Sequence, residues 1–266
     1  MLSGNSFATN WNPMIITKAF ANVLTGACDY SNICTHNRNN YDYVCKNNYF
    51  YISFRTTKPM NILEQFGIIP IDFATLASVF EGYKSPADKV ASLEKKGELI
   101  RLKKGLFVVS PQVHRQALSV ELIANHLYGP SYISFEKALS LYKLIPERVH
   151  TTRSMTIKRA RNFTNPIGNF EYVTATTDYY RIGIRTKVID SKLAYLIASP
   201  EKALCDMIIT SKRLRLQSVK AMQTYLEEDL RIDVSAIEVF DADVVKRCIE
   251  TGKKRTELLQ LYKLLN

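Results

Sequence analysis

The sequence lacks the features that usually mark membrane, secreted and zinc-binding proteins. It holds no apolar run of about 18 residues, the length that a membrane-spanning helix needs. The N-terminus has neither the basic nor the apolar segment of a secretory signal. The five cysteines form no CxxC pair, have no histidine at zinc-finger spacing and are odd in number, which argues against a disulfide framework. We therefore expect a cytoplasmic protein without membrane contact.

Motifs of the common enzyme classes are also missing. There is no HExxH, no GxSxG and no phosphate-binding loop, and the four histidines are scattered along the chain. Asp241 and Asp243 have the carboxylate spacing of a nucleotidyltransferase metal site, but no Gly-Ser turn precedes them. They lie at a predicted helix start, which favours a capping role. We expect no catalytic residues, no metal and no cofactor, and hence no enzyme.

The sequence does have an excess of positive charge in a chain of otherwise ordinary composition. Lys and Arg total 36 against 25 for Asp and Glu, a net charge of +11, while 46% of the residues are hydrophobic. A surplus of basic side chains is typical of proteins that contact phosphate, although many basic proteins bind no nucleic acid. At 266 residues the chain is long enough for one large domain or two modest ones.

Residues 1–59 differ in composition from the rest of the chain. They contain ten asparagines, three of the five cysteines, the only tryptophan and no glutamate. The stretch 37–43 has neither helical nor strand periodicity, so disorder or loose local structure is expected. Two explanations stay open: translated upstream sequence ahead of a true start at Met60, or a genuine flexible extension. The intact mass of the native protein distinguishes them.

From Met60 the pattern becomes regular and predicts three short helices. The first covers 61–66, the second covers 73–80 after Asp72 as N-cap, and the third follows Ser85 and Pro86 and ends at Gly97. The residues expected to face a core are Phe73, Leu76, Ala77 and Phe80 in the second helix and Ala87, Val90, Ala91 and Leu93 in the third.

A lysine-tipped hairpin follows these helices. Strand-like runs at 99–102 and 106–109 are joined by Lys103-Lys104-Gly105, and the segment from Lys84 to Lys104 carries seven basic and three acidic residues. Two helices joined by a tight turn and followed by such a hairpin are typical of a winged helix-turn-helix. The sequence therefore predicts a DNA-binding domain of this kind at 60–112.

The candidate DNA-binding residues differ in expected role. Side chains expected to reach base edges are Ser85, Lys89 and Ser92. Those expected to contact the DNA backbone are Lys84, Lys96, Lys103 and Lys104, with Lys95 and Arg101 completing the set. Each phosphate contact should add about one unit to the slope of log affinity against log salt concentration. Winged helices also dock proteins, and that alternative stays open.

Residues 113–266 are predicted to form a larger mixed α+β domain with a helical C-terminal part, which makes the whole chain α+β. The expected elements are helices over most of 113–145, strands at 153–157, 169–173, 180–184 and 193–198, a helix at 201–209, and helix from 218 to the end. Lys158, Arg159 and Arg161 are the densest basic cluster. They predict either a second DNA-facing surface or a solvated loop.

Two motifs in this region resemble a signature of the AbiEi antitoxin family. One is Pro130-Ser131-Tyr132-Ile133-Ser134 with the later Leu144-Ile145-Pro146-Glu147, and the other runs from Ile197 to Asp206. They follow the predicted winged helix in the family's order, and the resemblance covers roughly residues 60–210. At Lys143 the sequence departs from the family, which usually shows glycine there.

The resemblance implies a transcriptional autorepressor and antitoxin of a bacterial type IV toxin–antitoxin system, active in abortive infection and phage defence. Family members bind inverted repeats upstream of their own operon through the N-terminal domain. They counteract a nucleotidyltransferase-like toxin through the C-terminal domain, and whether antitoxin and toxin touch stays open.

The family motif around Ser199 has a structural and a catalytic explanation. Its residues are Ser199, Pro200, Glu201, Lys202 and Asp206. A carboxylate beside a lysine suits catalysis, but a capped helix start with an acidic first turn explains the same residues, and we favour it. Two other functions stay open for the chain: a non-catalytic module whose winged helix docks a protein, and a metal-dependent nuclease.

Overall fold

The computed structural model describes residues 37–38, 41–46, 49–54, 61–190 and 192–266, and the chain divides into two compact units, Met1–Asn61 and Ile62–Asn266. In the first unit, strands β1 (Asn37–Arg38), β2 (Tyr41–Lys46) and β3 (Tyr49–Phe54) form an antiparallel sheet. Loose structure was expected at 37–43, but residues 37–38 and 41–43 lie in strands, where Tyr41 and Tyr43 are of a residue type that favours strands. The question of the start at Met60 lies outside the described residues.

The second unit begins with a small helical and sheet layer that has its own core. Its elements are a 3-10 helix (Ile62–Phe66), β4 (Ile71–Asp72), α1 (Phe73–Val79), α2 (Pro86–Lys95), β5 (Leu99–Lys103) and β6 (Leu106–Val109). The strands form an antiparallel sheet in the order β4-β6-β5. Leu63, Leu76, Val90 and Phe107 belong to one buried cluster beneath them. Helical segments lie at the three predicted places, the first of them as a 3-10 helix, and the predicted hairpin is present.

The predicted inward faces of α1 and α2 are only partly right. Leu76, Phe80, Val90 and Leu93 are buried as expected. Phe73, by contrast, is 39% exposed, because the Asp72 cap makes it the first helical residue and leaves it at the end of the buried stripe. Ala87 and Ala91 are also exposed, since the ten-residue α2 presents only one narrow stripe to the core.

The larger layer of the second unit is built on a six-stranded mixed sheet. The strands are β7 (Ser131–Ile133), β8 (Thr151–Thr156), β9 (Arg161–Asn165), β10 (Gly168–Thr174), β11 (Ile184–Val188) and β12 (Ala194–Ala198), in the order β11-β12-β7-β8-β10-β9. The β12-β7 and β8-β10 pairs are parallel and the other pairs are antiparallel. The α+β class is therefore confirmed.

Helices surround this sheet. They are α3 (Pro111–His114), α4 (Val120–Leu127), α5 (Phe135–Leu141), α6 (Thr177–Tyr180), α7 (Pro200–Thr210), α8 (Val219–Thr224), α9 (Ala242–Thr251) and α10 (Arg255–Leu264), with a π-helix (Tyr225–Asp229) and a 3-10 helix (Val234–Ile237). Residues 201–206 of α7 are all buried. Within the described part of the chain, no helix has both the length and the hydropathy to cross a membrane.

Three details of the predicted elements are wrong. The strand expected at 180–184 is instead the end of α6 and a turn at Gly183, whose φ of +61° interrupts extended backbone before β11. Continuous helix from 218 is broken at Arg231 and Lys254, which have left-handed φ values of +53° and +56°. Strands β7 and β9 were not predicted, because β7 has only three residues and β9 has a single large apolar residue, Phe163, so neither shows a clear apolar alternation.

Candidate functional site

Helix α2 presents an exposed polar face that its N-terminal cap fixes in place. The Ser85 hydroxyl accepts a hydrogen bond from the amide of Asp88 at 3.3 Å, and Pro86 occupies the first turn. Ser92, Lys95 and Lys96 are exposed on the helix, as predicted. Ser85 itself is only half-exposed, and its hydroxyl oxygen already caps the start of the helix, so we assign it to the helix and not to a binding partner.

Two of the predicted basic contacts on this layer are already engaged within the chain. The ammonium of Lys89 lies 4.8 Å from the ring centroid of Tyr83 and 5.9 Å from that of Phe80. The guanidinium of Arg101 pairs with Glu94 of α2, with Nη2 to Oε2 at 2.5 Å. Arg101 therefore connects β5 to α2, and its charge is opposed by a carboxylate.

The hairpin lysines at the β5-β6 turn differ in environment. Lys104 is exposed, as predicted. Lys103 is half-buried and donates a hydrogen bond from Nζ to the carbonyl oxygen of Leu127 at 2.5 Å. Burial lowers the pKa of Lys103, and the positive charges of Lys158 and Arg161 lower it further. The hairpin therefore lies against the larger sheet, beside the second basic cluster.

That cluster, Lys158, Arg159 and Arg161, is exposed at the turn from β8 to β9. The Lys158 ammonium lies 5.4 Å from the ring centroid of Tyr128, and the Arg161 guanidinium lies 5.5 Å from that of Phe163. Aromatic faces attract cations and hold these side chains in place. More than fifty residues separate the hairpin from the cluster in the sequence, and the fold brings them together beside the ring of Phe163.

The two motifs that resemble the antitoxin signature meet at the carboxylate of Asp206. Its Oδ2 accepts hydrogen bonds from the hydroxyls of Ser134 at 2.6 Å and Tyr132 at 3.1 Å, and its Oδ1 accepts one from Tyr179 at 2.8 Å. The ammonium of Lys202 lies 3.2 Å from the same Oδ1. Neither Lys202 nor Asp206 is exposed to solvent. Tyr179 was not predicted for this cluster, and no sequence signal singles it out.

Burial and charge shape the chemistry of this cluster. Burial, followed by the negative charge of Asp206, raises the pKa of Tyr132 and Tyr179 well above the usual range. Lys202 also donates a hydrogen bond to the carbonyl oxygen of Tyr179 at 3.0 Å, and its Nζ lies 3.9 Å from the Sγ of Cys248. With no route to solvent, these groups orient one another and cross-connect α6, α7, α9 and β7.

A helix does begin after Ser199, with Pro200 and Glu201 in its first turn, as the structural explanation of this motif predicts. The predicted capping hydrogen bond to the Ser199 side chain, however, is not formed. Ser199 precedes the helix without a side-chain capping hydrogen bond, and its amide donates to the carbonyl oxygen of Gly183 at 2.7 Å. Glu201 is buried and pairs with Arg185 at 3.3 Å. A Cβ at Gly183 would lie 2.8 Å from the Cβ of Lys202, so this close approach requires glycine. Asp241, in contrast, caps α9 as predicted, accepting from the Asp243 amide at 2.9 Å.

Comparison with models of known protein families finds none that matches the chain, and a search of curated proteins finds no match either. Among the described residues, no group of three or more histidine, cysteine, aspartate or glutamate side chains has a geometry that could hold a metal ion. The surface that remains as a candidate site joins α2, the β5-β6 hairpin and the turn from β8 to β9.

Proposed function

We propose that residues 60–112 form a winged helix-turn-helix that binds double-stranded DNA, with α2 as the recognition helix and the β5-β6 hairpin as the wing. The observation that carries the proposal is that Lys103 and Arg161 both lie by the ring of Phe163, at 6.0 Å and 5.5 Å from its centroid, so the hairpin and the basic cluster share one surface. The positive charges of Lys158 and Arg161 accordingly add to burial in lowering the pKa of Lys103. Like charges gathered on one surface repel each other, and a polyanion relieves that repulsion. A DNA backbone lying along the wing and the β8-β9 turn would do so.

The contacts within the chain refine the proposed role of each residue. Ser92, Lys95 and Lys96 face solvent on α2 and suit contacts in the major groove, and Lys104 suits a phosphate beside the wing. Lys84 is exposed just before α2 and suits a phosphate too. Arg101, held by Glu94, positions the wing on the helix instead of contacting DNA.

We further propose that the protein is a cytoplasmic autorepressor and antitoxin of a type IV toxin–antitoxin system. This proposal rests on the resemblance to the AbiEi family, and it is supported by the meeting of both motifs at Asp206. Operator DNA with inverted repeats would place two protomers on one site. The larger layer would act against a nucleotidyltransferase-like toxin, whether by contact or through a shared substrate.

The test of DNA binding is a mobility-shift titration of residues 60–266 on the DNA upstream of their own gene, over a range of salt concentrations. Ser92→Ala should relax sequence preference, because Ser92 is exposed on α2, whereas Lys103→Ala/Lys104→Ala should weaken specific and non-specific binding alike. Lys246→Ala/Lys253→Ala, at exposed sites on α9 and in the turn after it, is the matched control for charge and should leave binding unchanged. No shift at low salt would remove the DNA-binding proposal.

The antitoxin proposal has a separate test. Co-expression with the nucleotidyltransferase-like protein encoded beside it should restore growth that the toxin alone arrests. Lys103→Ala/Lys104→Ala should still restore growth while losing repression of a reporter, because the two activities use different surfaces. A toxin that stays active in the presence of the wild-type chain would contradict the antitoxin proposal and would leave the DNA-binding proposal unaffected.

Protein docking is the second candidate function of the helical layer. It is favoured by the small, uncharged side chains of Ala87 and Ala91 on the exposed face of α2 and by Tyr83, which is 51% exposed nearby. In that case Ala91→Arg should abolish capture of the partner, while the lysine substitutions should have little effect. Specific, salt-dependent DNA binding would decide against it.

A further inference from the structure

The β5-β6 hairpin has apolar side chains on both of its faces. Along β6, Phe107 and Val109 belong to the core of the smaller layer, whereas Val108 between them belongs to the core of the larger layer. Leu102 of β5 is buried in the core of the larger layer too. Antiparallel sheets commonly pack one face on a core and expose the other to water. This hairpin instead lies between two cores, so its position on the larger layer is fixed.

Two hydrogen bonds join the β5-β6 hairpin to the larger layer. The ammonium of Lys103 donates to the carbonyl oxygen of Leu127, the last residue of α4. A positive charge is favourable at the carboxyl end of a helix, because the last carbonyl groups have no partner within the helix. The side-chain amide of Asn165, at the end of β9, donates to the carbonyl oxygen of Leu102 at 3.2 Å. The hairpin is therefore held at two adjacent residues of β5.

Asn165 is itself fixed by the turn between β9 and β10. Its Oδ1 accepts hydrogen bonds from the amides of Ile167 at 2.9 Å and Gly168 at 3.3 Å. The oxygen of this side chain thus serves the turn, and the nitrogen serves the β5-β6 hairpin. Aspartate would keep the acceptor and lose the donor. Asn165→Asp therefore removes the bond to β5 and leaves the bonds of the turn in place.

The same part of the larger layer also holds the basic cluster. The ring centroid of Phe163 lies 6.0 Å from the ammonium of Lys103 and 5.5 Å from the guanidinium of Arg161. Lys158 donates a hydrogen bond to the carbonyl oxygen of Gly129, just beyond the end of α4. The β5-β6 hairpin and the basic cluster are thus both fixed beside the carboxyl end of α4, and the distance between them is set by the fold.

We propose that Lys103 and Asn165 are positioning residues for DNA binding, which hold the β5-β6 hairpin on the larger layer so that α2, the hairpin and the basic cluster meet one duplex as a single rigid surface. This inference rests on the proposed DNA-binding function and assigns roles within it. Lys104, which is exposed, contacts phosphate, whereas Lys103 acts through the end of α4. A surface that is ordered before binding loses less conformational entropy when DNA binds, so a positioning residue contributes to affinity without touching the ligand.

The test compares Lys103→Met with Lys104→Met in the full chain. Methionine keeps most of the aliphatic stem and removes the ammonium, so the two variants lose the same charge at neighbouring positions. In mobility-shift titrations over a range of salt concentrations, Lys104→Met should lower the slope of log affinity against log salt by about one unit. Lys103→Met should weaken binding about threefold to tenfold, the effect of one hydrogen bond from a charged group, and should leave the slope unchanged.

Hydrogen exchange without DNA measures the junction directly. Lys103→Met should speed exchange of the backbone amides of β5 and β6 by about fivefold or more, because the hairpin opens locally more often when one of its two bonds to the larger layer is lost. Lys104→Met should leave these amides unchanged, since the exposed Lys104 side chain does not belong to the junction.

Asn165→Asp tests the junction from the other side. It should speed exchange of the same amides and weaken DNA binding. Asn169→Asp is the matched control, because it adds the same charge at an exposed position of the same turn, and its Oδ1 can keep the hydrogen bond from Thr164 at 3.0 Å. Asn165→Asp should weaken DNA binding about threefold more than Asn169→Asp does, since only the first variant loses a bond to β5.

The possible failures of the two proposals are distinct. If wild type binds DNA and Lys103→Met lowers the salt slope as much as Lys104→Met does, Lys103 is a phosphate contact and only the positioning role is overturned. Unchanged exchange in both Lys103→Met and Asn165→Asp would also overturn that role alone. No binding by wild type at low salt would overturn the DNA-binding function and, with it, the roles assigned here.

Discussion

Arg101 donates two hydrogen bonds to Glu94, from Nε at 2.8 Å and from Nη2 at 2.5 Å, across the junction between β5 and α2. The guanidinium also lies 4.9 Å from the ring centroid of Phe107, in the partner strand of the hairpin. A planar, bidentate pair fixes orientation as well as distance. The proposed wing is thus held at a set angle to the proposed recognition helix.

Salt dependence of DNA binding should distinguish a positioning arginine from a phosphate contact. Arg101→Ala should weaken binding yet leave the slope of log affinity against log salt unchanged, whereas a lost phosphate contact lowers that slope by about one unit. Glu94→Gln should instead make that slope steeper, because it frees Arg101 to reach phosphate. Quantitative mobility shifts between low and moderate salt provide the measurement, and a lower slope in Arg101→Ala would assign it to DNA.

The same pair predicts how stability depends on pH. The hydrogen bonds from Arg101 hold the pKa of Glu94 below its ordinary value of 4.5. A carboxyl with a lowered pKa in the folded state contributes stability above its ordinary pKa and loses it as pH falls through the lowered value. Wild type should therefore exceed Glu94→Gln in urea unfolding at pH 7, and the difference should disappear in acid. A difference that grows in acid would contradict the ion pair.

Replacing Lys143 with glycine should stabilise the protein. It follows α5 with a left-handed φ of +61°, and the amide of Leu144 donates to the carbonyl oxygen of Leu139 at 3.0 Å, closing the helix end. A side chain in this conformation costs about 1–2 kcal/mol relative to a right-handed one. Lys143→Gly should thus raise the free energy of unfolding by about 1 kcal/mol. This is the gain from relieving the left-handed conformation less the entropic cost of glycine's greater backbone freedom in the unfolded chain.

Lys143→Ala is the matched control, since it removes the same charge and keeps the Cβ. It should give no gain in chemical denaturation. Equal stabilisation by alanine and glycine would attribute the effect to charge and not to backbone conformation.

Replacing Asp206 should strongly lower the stability of the protein. Asp206→Asn would leave the ammonium of Lys202 buried without its counter-charge, at a cost of about 3–5 kcal/mol. Lys202→Met in the same background should recover part of that loss, and a double-mutant cycle in urea would measure the coupling. Asp243→Asn, at an exposed aspartate of α9, should change stability little. Additive single effects would mean that the pair contributes nothing beyond its hydrogen bonds.

The elements that can be predicted most accurately from the sequence are those that local signals define. Ser85 and Pro86 mark the start of α2, Asp72 and Asp241 cap their helices, and Gly105 allows the hairpin turn with φ of +77°. Each signal acts within a few residues and so can be read without the fold. The features that were not predicted depend instead on contacts between residues that are far apart in the sequence.

Tertiary contacts decide what those local signals leave open. Nothing in the order of residues places Lys103 beside Lys158, Tyr179 beside Asp206, or Glu94 beside Arg101. The capped helices, the hairpin, the excess of positive charge and the α+β class can be predicted from the amino-acid order, because they follow from neighbouring residues and composition. Which charges are paired, which are buried and which share a surface depends on the folded chain, since electrostatic energy depends on distance in space and on exposure to water.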